Sequence, residues 1–180
     1  LKKIYVVRHC EAEGQQIDAP LTEKGHKQAL ELSDFFANLK IERIITSPYK
    51  RAIDSIQPFA HDSQLEITHD NRLSERVLSN QNLEDWFEKL QLTFQDMELK
   101  FEGGKSSREA MTRILQVVEE AFQGENNHIV IVTHGNLLSL LLKHCHENFG
   151  FDDWQRLSNP DIFLLENINN TITYKRIWES

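Results

Sequence analysis

Residues Ile4-Tyr5-Val6-Val7 form an unbroken apolar run, mostly β-branched, that passes without transition into Arg8-His9. A strand with no polar alternation is one buried on both faces. Sheets covered on both faces are built mainly from parallel strands with helices packed on each side. Such a strand delivers Arg8 and His9 to its carboxyl end, the edge of an open α/β sheet where ligands bind. Taken alone, an Arg-His pair marks only the place where a buried strand surfaces.

The pattern recurs twice. Arg43-Ile44-Ile45-Thr46 reads as a second strand that breaks at Ser47-Pro48. Ser47 as N-cap and Pro48 as first helical residue then open a helix to about residue 60, with Arg51 in its first turn. Residues 128–132 form a third buried run, which ends in Thr133-His134-Gly135 and leads directly into a helix that is apolar nearly all round.

The remaining elements fill in between. Thr22 caps a helix whose apolar face includes Ala29, Leu32 and Phe36. A short strand is expected over 65–68, an irregular stretch holding Glu75 over 71–79, and a helix over 83–99 with Trp86, Phe87, Leu90 and Phe94 on one side. Gly103-Gly104 breaks that helix. Ser106 and Glu109 then form a capping box that opens a helix to about residue 122. Residues 147–157 read as irregular. Strands over 162–166 and 171–177, joined at Asn169-Asn170, close the chain. There is no internal repeat, low-complexity segment or linker, so residues 1–180 read as one domain. The fold class is α/β. The order of elements predicts a three-layer sandwich: a mostly parallel sheet of about six strands, an antiparallel strand at one edge, and helices on both faces.

Charge and cysteine content narrow the function. With 20 basic and 28 acidic residues the net charge is −8, which argues against nucleic acid as a partner. No apolar window is long enough to span a membrane, and the opening run is too short for a signal peptide. The start at Leu1 rather than Met points to a processed or trimmed N-terminus. Two cysteines, Cys10 and Cys145, are too few for a disulfide framework, and together these features lead to a cytoplasmic location. Any anion site must be a local basic pocket.

If the three buried strands are parallel, their ends bring Arg8, His9, Arg51 and His134 into one cleft. Guanidinium forks match phosphate oxygens in geometry and charge. Gly135, opening a helix, adds backbone N–H groups and the positive end of a helix dipole. This set suits a phosphorylated small molecule and needs neither metal nor cofactor.

The same residues match a known family. Arg8-His9-x-Glu11, Leu21-Thr22-x-x-Gly25-x-x-Gln28-Ala29, Ser47-Pro48-x-x-Arg51-Ala52, Leu73-x-Glu75, Gly103-Gly104-x-Ser106 and Thr133-His134-Gly135 occur in the order seen in the histidine phosphatase superfamily. The chain resembles its phosphoglycerate-mutase-like branch over nearly its whole length. The resemblance implies that His9 is the nucleophile and carries a phosphoryl group, with Arg8, Arg51 and His134 holding the phosphate. Glu75 stands where the family has its proton donor and base. A nitrogen nucleophile splits one hard displacement into two easier ones. Arg8 and Arg51 would disfavour the imidazolium and keep His9 neutral.

Several positions depart from the family pattern. Cys10 replaces the usual glycine after the nucleophile and reads as a tolerated small residue rather than an oxidation switch. Ala12 stands for a threonine, Lys105 for a glutamate and Asn136 for a glycine. Gln15 stands for a phosphate-binding asparagine and can still offer an amide donor. The Trp86, Phe87 and Phe94 side fits a lid over the cleft or ordinary packing. His144-Cys145-His146 are consecutive on a helix, cannot all face one ion, and read as a helix end rather than a metal site.

The leading expectation is a metal-independent phosphomonoesterase. Two alternatives fit the same residues: a phosphoryl-transfer mutase, and a phosphate-binding regulatory protein with little turnover. Mutases of the family carry a large insertion after the proton donor and a tail after the last strand. Here about one helix and a glycine pair separate Glu75 from Ser106, and the chain ends at Ser180, which favours hydrolysis.

Overall fold

A computed structural model describes residues 1–179; the chain end at Ser180 lies outside them. The three buried runs form strands β1 (Lys3–Arg8), β2 (Arg43–Thr46) and β4 (His128–Thr133) of a six-stranded sheet. β3 (Ile67–His69), β5 (Asp161–Ile168) and β6 (Thr171–Arg176) complete it in the order β3-β2-β4-β1-β5-β6. β1 and β2 both pair parallel with β4, and β3 pairs parallel with β2. The β5–β6 hairpin forms the opposite edge, with β5 antiparallel to both its neighbours. Asn169 and Asn170 at its turn both take positive φ (51° and 64°), a conformation asparagine tolerates better than most residues.

Alternation along β1 explains the apolar run. Ile4 and Val6 face one layer, where α4 (Ser107–Gln123) and α5 (Gly135–Cys145) contribute Ile114, Val118, Leu137 and Leu141. Tyr5 and Val7 face the other, where α1 (Glu23–Phe36) and α2 (Lys50–Ser63) contribute Leu32, Phe36, Ile56 and Phe59. β4 alternates in the same way, Ile129 and Ile131 against Val130 and Val132. Each fully buried aliphatic side chain contributes about 1.5–3 kcal/mol, so both layers reward this register and no one-residue slip preserves it.

Thr22 caps α1 by accepting from the Gly25 N–H at 3.0 Å, and Ser106 with Glu109 forms the expected capping box on α4. Other expectations are corrected. The 83–99 helix shrinks to α3 (Trp86–Thr93), and the third strand falls at Ile67–His69 rather than 65–68. Part of the expected irregular stretch 147–157 forms a short helix, α6 (Phe151–Gln155). Ser47 does not cap α2: Tyr49 holds that place and Pro48 precedes the helix. The Ser47 hydroxyl accepts from the Tyr49 N–H at 3.2 Å instead, and it is committed to the site described next.

Candidate active site

Parallel pairing sets Arg8 opposite Thr133 and Thr46 opposite Val132, so β1, β2 and β4 end together. The backbone continues that alignment beyond the strands. His9 N–H donates to the Thr133 carbonyl at 3.1 Å, and Ser47 N–H donates to the Val132 carbonyl at 2.9 Å. α1 and α5 leave toward opposite faces of the sheet, which opens a crevice at the ends of β1 and β4, where doubly wound sheets bind ligands.

His9 is 7% exposed and its hydrogen bonds fix its chemistry. Nδ1 lies 2.7 Å from the Cys10 carbonyl, which can only accept, so Nδ1 carries the proton. The Arg51 Nε–H donates to Nε2 at 3.2 Å, so Nε2 presents its lone pair. Burial is the main force holding the imidazole neutral, pushing its pKa down to about 3, and the charges of Arg51 and Arg8 add to it. The expectation that the arginines keep His9 neutral is therefore corrected in its emphasis: desolvation comes first. Asn159 holds the turn from behind, its Nδ2 donating to the His9 carbonyl at 3.0 Å.

Arg51 is 1% exposed, an unusual burial for a cation. Its Nη1 donates to the Gln15 and Gln16 carbonyls at 3.1 and 2.9 Å, and its guanidinium lies 5.0 Å from the Tyr49 ring centre. Burial lowers its pKa, and the nearby Glu75 carboxylate opposes that. Arg8 donates from Nη1 to the Leu157 carbonyl at 3.2 Å, while its Nε is buried without a partner. Burial lowers the Arg8 pKa too, and Glu75 and Asp161 act against it.

His134 lies beside His9, with ring centres 5.1 Å apart. Its Nε2 is 2.8 Å from the Ser47 hydroxyl, and Nδ1 is buried without a partner. Burial, then the neighbourhood of His9, with which it would compete for a proton, and the charges of Arg51, Arg113 and Arg8, pull its pKa well below the ordinary value, so this imidazole is also neutral.

Glu75 reaches the same place from an irregular segment. Its carboxylate accepts from the Arg76 N–H at 2.8 Å, the Leu137 N–H at 2.9 Å and the Asn136 N–H at 3.1 Å. Glu75 thus takes the Asn136 and Leu137 N–H groups at the start of α5, next to Gly135, and those two are not left for a substrate. Gly135 serves another need. A Cβ there would lie 2.8 Å from Arg8 Nε and 2.9 Å from Arg8 Cζ, so glycine lets the guanidinium cross the helix start.

Arg8 and Glu75, with Gln15 and Asn136, stand in the wall of a cavity of about 470 Å³, while the more deeply buried His9, Arg51 and His134 do not line it. The arrangement pairs a lone-pair nitrogen with two cations, a second neutral imidazole and a carboxylate, a set that can transfer a phosphoryl group.

Comparison with known proteins agrees with this geometry. The family model described as "Histidine phosphatase superfamily (branch 1)" matches residues 4–177. The chain belongs to the histidine phosphatase superfamily. A probable phosphoglycerate mutase GpmB of Salmonella choleraesuis is 27% identical over 156 residues, covering 78% of this chain and 73% of that protein. The fold matches a mycobacterial glucosyl-3-phosphoglycerate phosphatase solved with inorganic phosphate (TM-score 0.80, 21% identity, 100% of this chain and 98% of that one). It also matches Bacillus stearothermophilus YhfR (TM-score 0.79, 21% identity, 98% and 96%).

Several side chains that support the candidate site have contacts the sequence did not reveal. Ser47 touches His134, and Ser55 accepts from the Cys10 N–H at 2.8 Å. Arg113, from the middle of α4, donates to the Arg72 and Ser74 carbonyls at 2.6 Å each and to the Glu75 carbonyl at 3.3 Å, pinning the segment that presents Glu75. Cys10 is fully buried in the α1–α2 layer, and burial pushes its thiol up to about 12, the reverse of a redox-sensitive cysteine. His144, Cys145 and His146 end α5. Among the described residues no cluster of three or more His, Cys, Asp or Glu side chains is placed to hold a metal, and no helix is long and apolar enough to cross a membrane.

Proposed function

We propose that the chain is a metal-independent phosphomonoesterase that works through a phosphohistidine at His9 on a small phosphorylated substrate. The observation that carries this reading is the fixed tautomer of His9, which presents Nε2 as a lone pair in a neutral, buried ring. In the first step Nε2 attacks phosphorus in line, the N–P bond forms and the ester P–O bond breaks. Arg51 Nε–H, already aimed at Nε2, and the unpartnered Arg8 Nε–H meet the phosphoryl oxygens, and Gln15 closes the rim. His134, in contact with Ser47 and neutral, adds a neutral hydrogen bond. Glu75, a carboxylate in the free site, takes up the proton that a phosphate monoester monoanion brings, passes it to the leaving oxygen, and then takes one from the water that breaks the N–P bond.

The short path from Glu75 to Ser106, with only the eight-residue α3 between, supports hydrolysis over mutase chemistry because little covers the cleft against water. The mutase alternative draws on the name of the curated relative. Unpaired Cys10 and Cys145 fit a cytoplasmic location. The test is hydrolysis of phenyl phosphate in a strong chelator by the wild type and by His9→Ala. Turnover by the wild type alone supports the reading. Loss of turnover in chelator, restored by magnesium or zinc, contradicts it. Rapid exchange between 3- and 2-phosphoglycerate without phosphate release would favour the mutase.

A further inference from the structure

Beyond the phosphate-holding groups the cavity changes character. Trp86 and Trp154 stand in its wall with Leu78, Leu83 and Leu90. Trp86 leaves 50% of its surface exposed, although an indole usually buries its apolar body. The remaining cation of that wall, Arg76, is engaged elsewhere. Its Nε and Nη2 donate to the Lys105 carbonyl at 3.2 and 3.0 Å, and its Nη1 donates to Ser107 at 3.2 Å. Asn136 is 7% exposed, yet its Oδ1 is buried without a hydrogen-bond partner. Its backbone N–H is held by Glu75, which sets this residue next to the group assigned to protonate the leaving oxygen, and both residues line the cavity. An unmatched buried acceptor is costly, and a matching donor on a ligand recovers that cost. A volume of about 470 Å³ falls in the range of ordinary ligand pockets and exceeds what a three-carbon acid would fill.

We propose that the substrate is a phosphate monoester whose alcohol has a flat apolar portion, laid against Trp86 and Trp154, and a hydrogen-bond donor near the ester oxygen, read by Asn136 Oδ1. This rests on the phosphatase reading above and names the substrate class of that same cavity. A small phosphorylated acid makes poor use of it: its carboxylate would face the Asn136 acceptor and the Glu75 carboxylate, and Arg76 is already engaged.

The experiment compares kcat/KM for adenosine 5′-monophosphate, ribose 5-phosphate, 3-phosphoglycerate and phenyl phosphate with the purified protein. The nucleotide, used as a probe with a flat face and donors, should exceed ribose 5-phosphate and 3-phosphoglycerate by about tenfold or more, the size expected of one stacked base. Trp86→Ala should bring the nucleotide-to-ribose-phosphate ratio close to one, and Trp86→Phe should restore part of it. Asn136→Ala should lower the ratio of ribose 5-phosphate to phenyl phosphate, which has no donor, by roughly five- to tenfold. Preference for 3-phosphoglycerate, or ratios that neither variant moves, overturns the proposal while hydrolysis of phenyl phosphate leaves the phosphatase reading standing. Failure to hydrolyse any of the four esters removes both.

Discussion

Acidification should destabilise this protein through His9 in a way that one substitution exposes. The imidazole is buried and neutral, with its pKa lowered from 6.5 to about 3. In the unfolded chain it titrates at its ordinary value, so between those limits the unfolded state binds a proton that the folded state refuses. Stability is therefore intact above about pH 6.5 and is lost as the pH falls toward 3. Each pH unit in that window costs about 1.4 kcal/mol per such group. Between about pH 6.5 and about pH 4 His9 alone should account for about 3 kcal/mol, a large part of the roughly 5–15 kcal/mol that holds a typical domain folded. His134 shifts in the same direction, so the wild-type slope should be steeper still. Urea unfolding of the wild type and of His9→Asn, followed by circular dichroism across this range, isolates the His9 share because His134 is common to both. Stability of the wild type should fall more steeply with acid than that of the variant. Parallel pH profiles would mean that His9 is not held neutral by burial, and the lone pair at Nε2 would lose its support.

Glu75→Gln should slow alkyl phosphates far more than aryl phosphates, whose leaving oxygen needs little protonation, and leaving-group dependence of kcat/KM reads this directly. Equal slowing of both classes would assign the proton to another acid. Gly135→Ala should keep the fold, because the new Cβ meets only the far end of the Arg8 side chain, and should weaken inorganic phosphate binding about tenfold by calorimetry, the worth of one charged hydrogen bond. Unchanged phosphate affinity would remove Arg8 from the anion site. Cys10 should stay unmodified by a thiol reagent in the native protein and react only on unfolding, as peptide mass spectrometry would show. Modification of native Cys10 with loss of activity would restore the oxidation-switch reading.

What the sequence revealed follows from local physics. Buried runs such as Ile4–Val7 announce strands because both of their faces must be covered, and parallel pairing then forces their polar ends together. Caps announce themselves where donor and acceptor lie three residues apart, as Ser106 and Glu109 do. Features that depend on distant contacts stayed hidden. Ser47 looked like an N-cap, but His134, 87 positions away, takes its hydroxyl. Arg113 gives no local signal in the sequence, and its partners are carbonyls about 40 positions upstream. A helix start attracts an anion, and Gly135 opens one; that the Asn136 and Leu137 N–H groups beside it meet Glu75 is a contact no spacing rule connects across more than 60 positions. α6 was missed because five residues are too few to show a helical period.

The central claim, a phosphoryl group carried on the nitrogen that His9 exposes, is tested most directly by trapping it. The protein is mixed with a phosphate ester labelled on phosphorus, quenched in alkali within a single turnover, digested and sequenced by mass spectrometry. The label should appear at His9 Nε2, survive alkali, be released by acid, and be absent from His9→Ala. Label on another residue, or rapid hydrolysis by the wild type with no labelled protein at any quench time, would contradict the phosphohistidine mechanism.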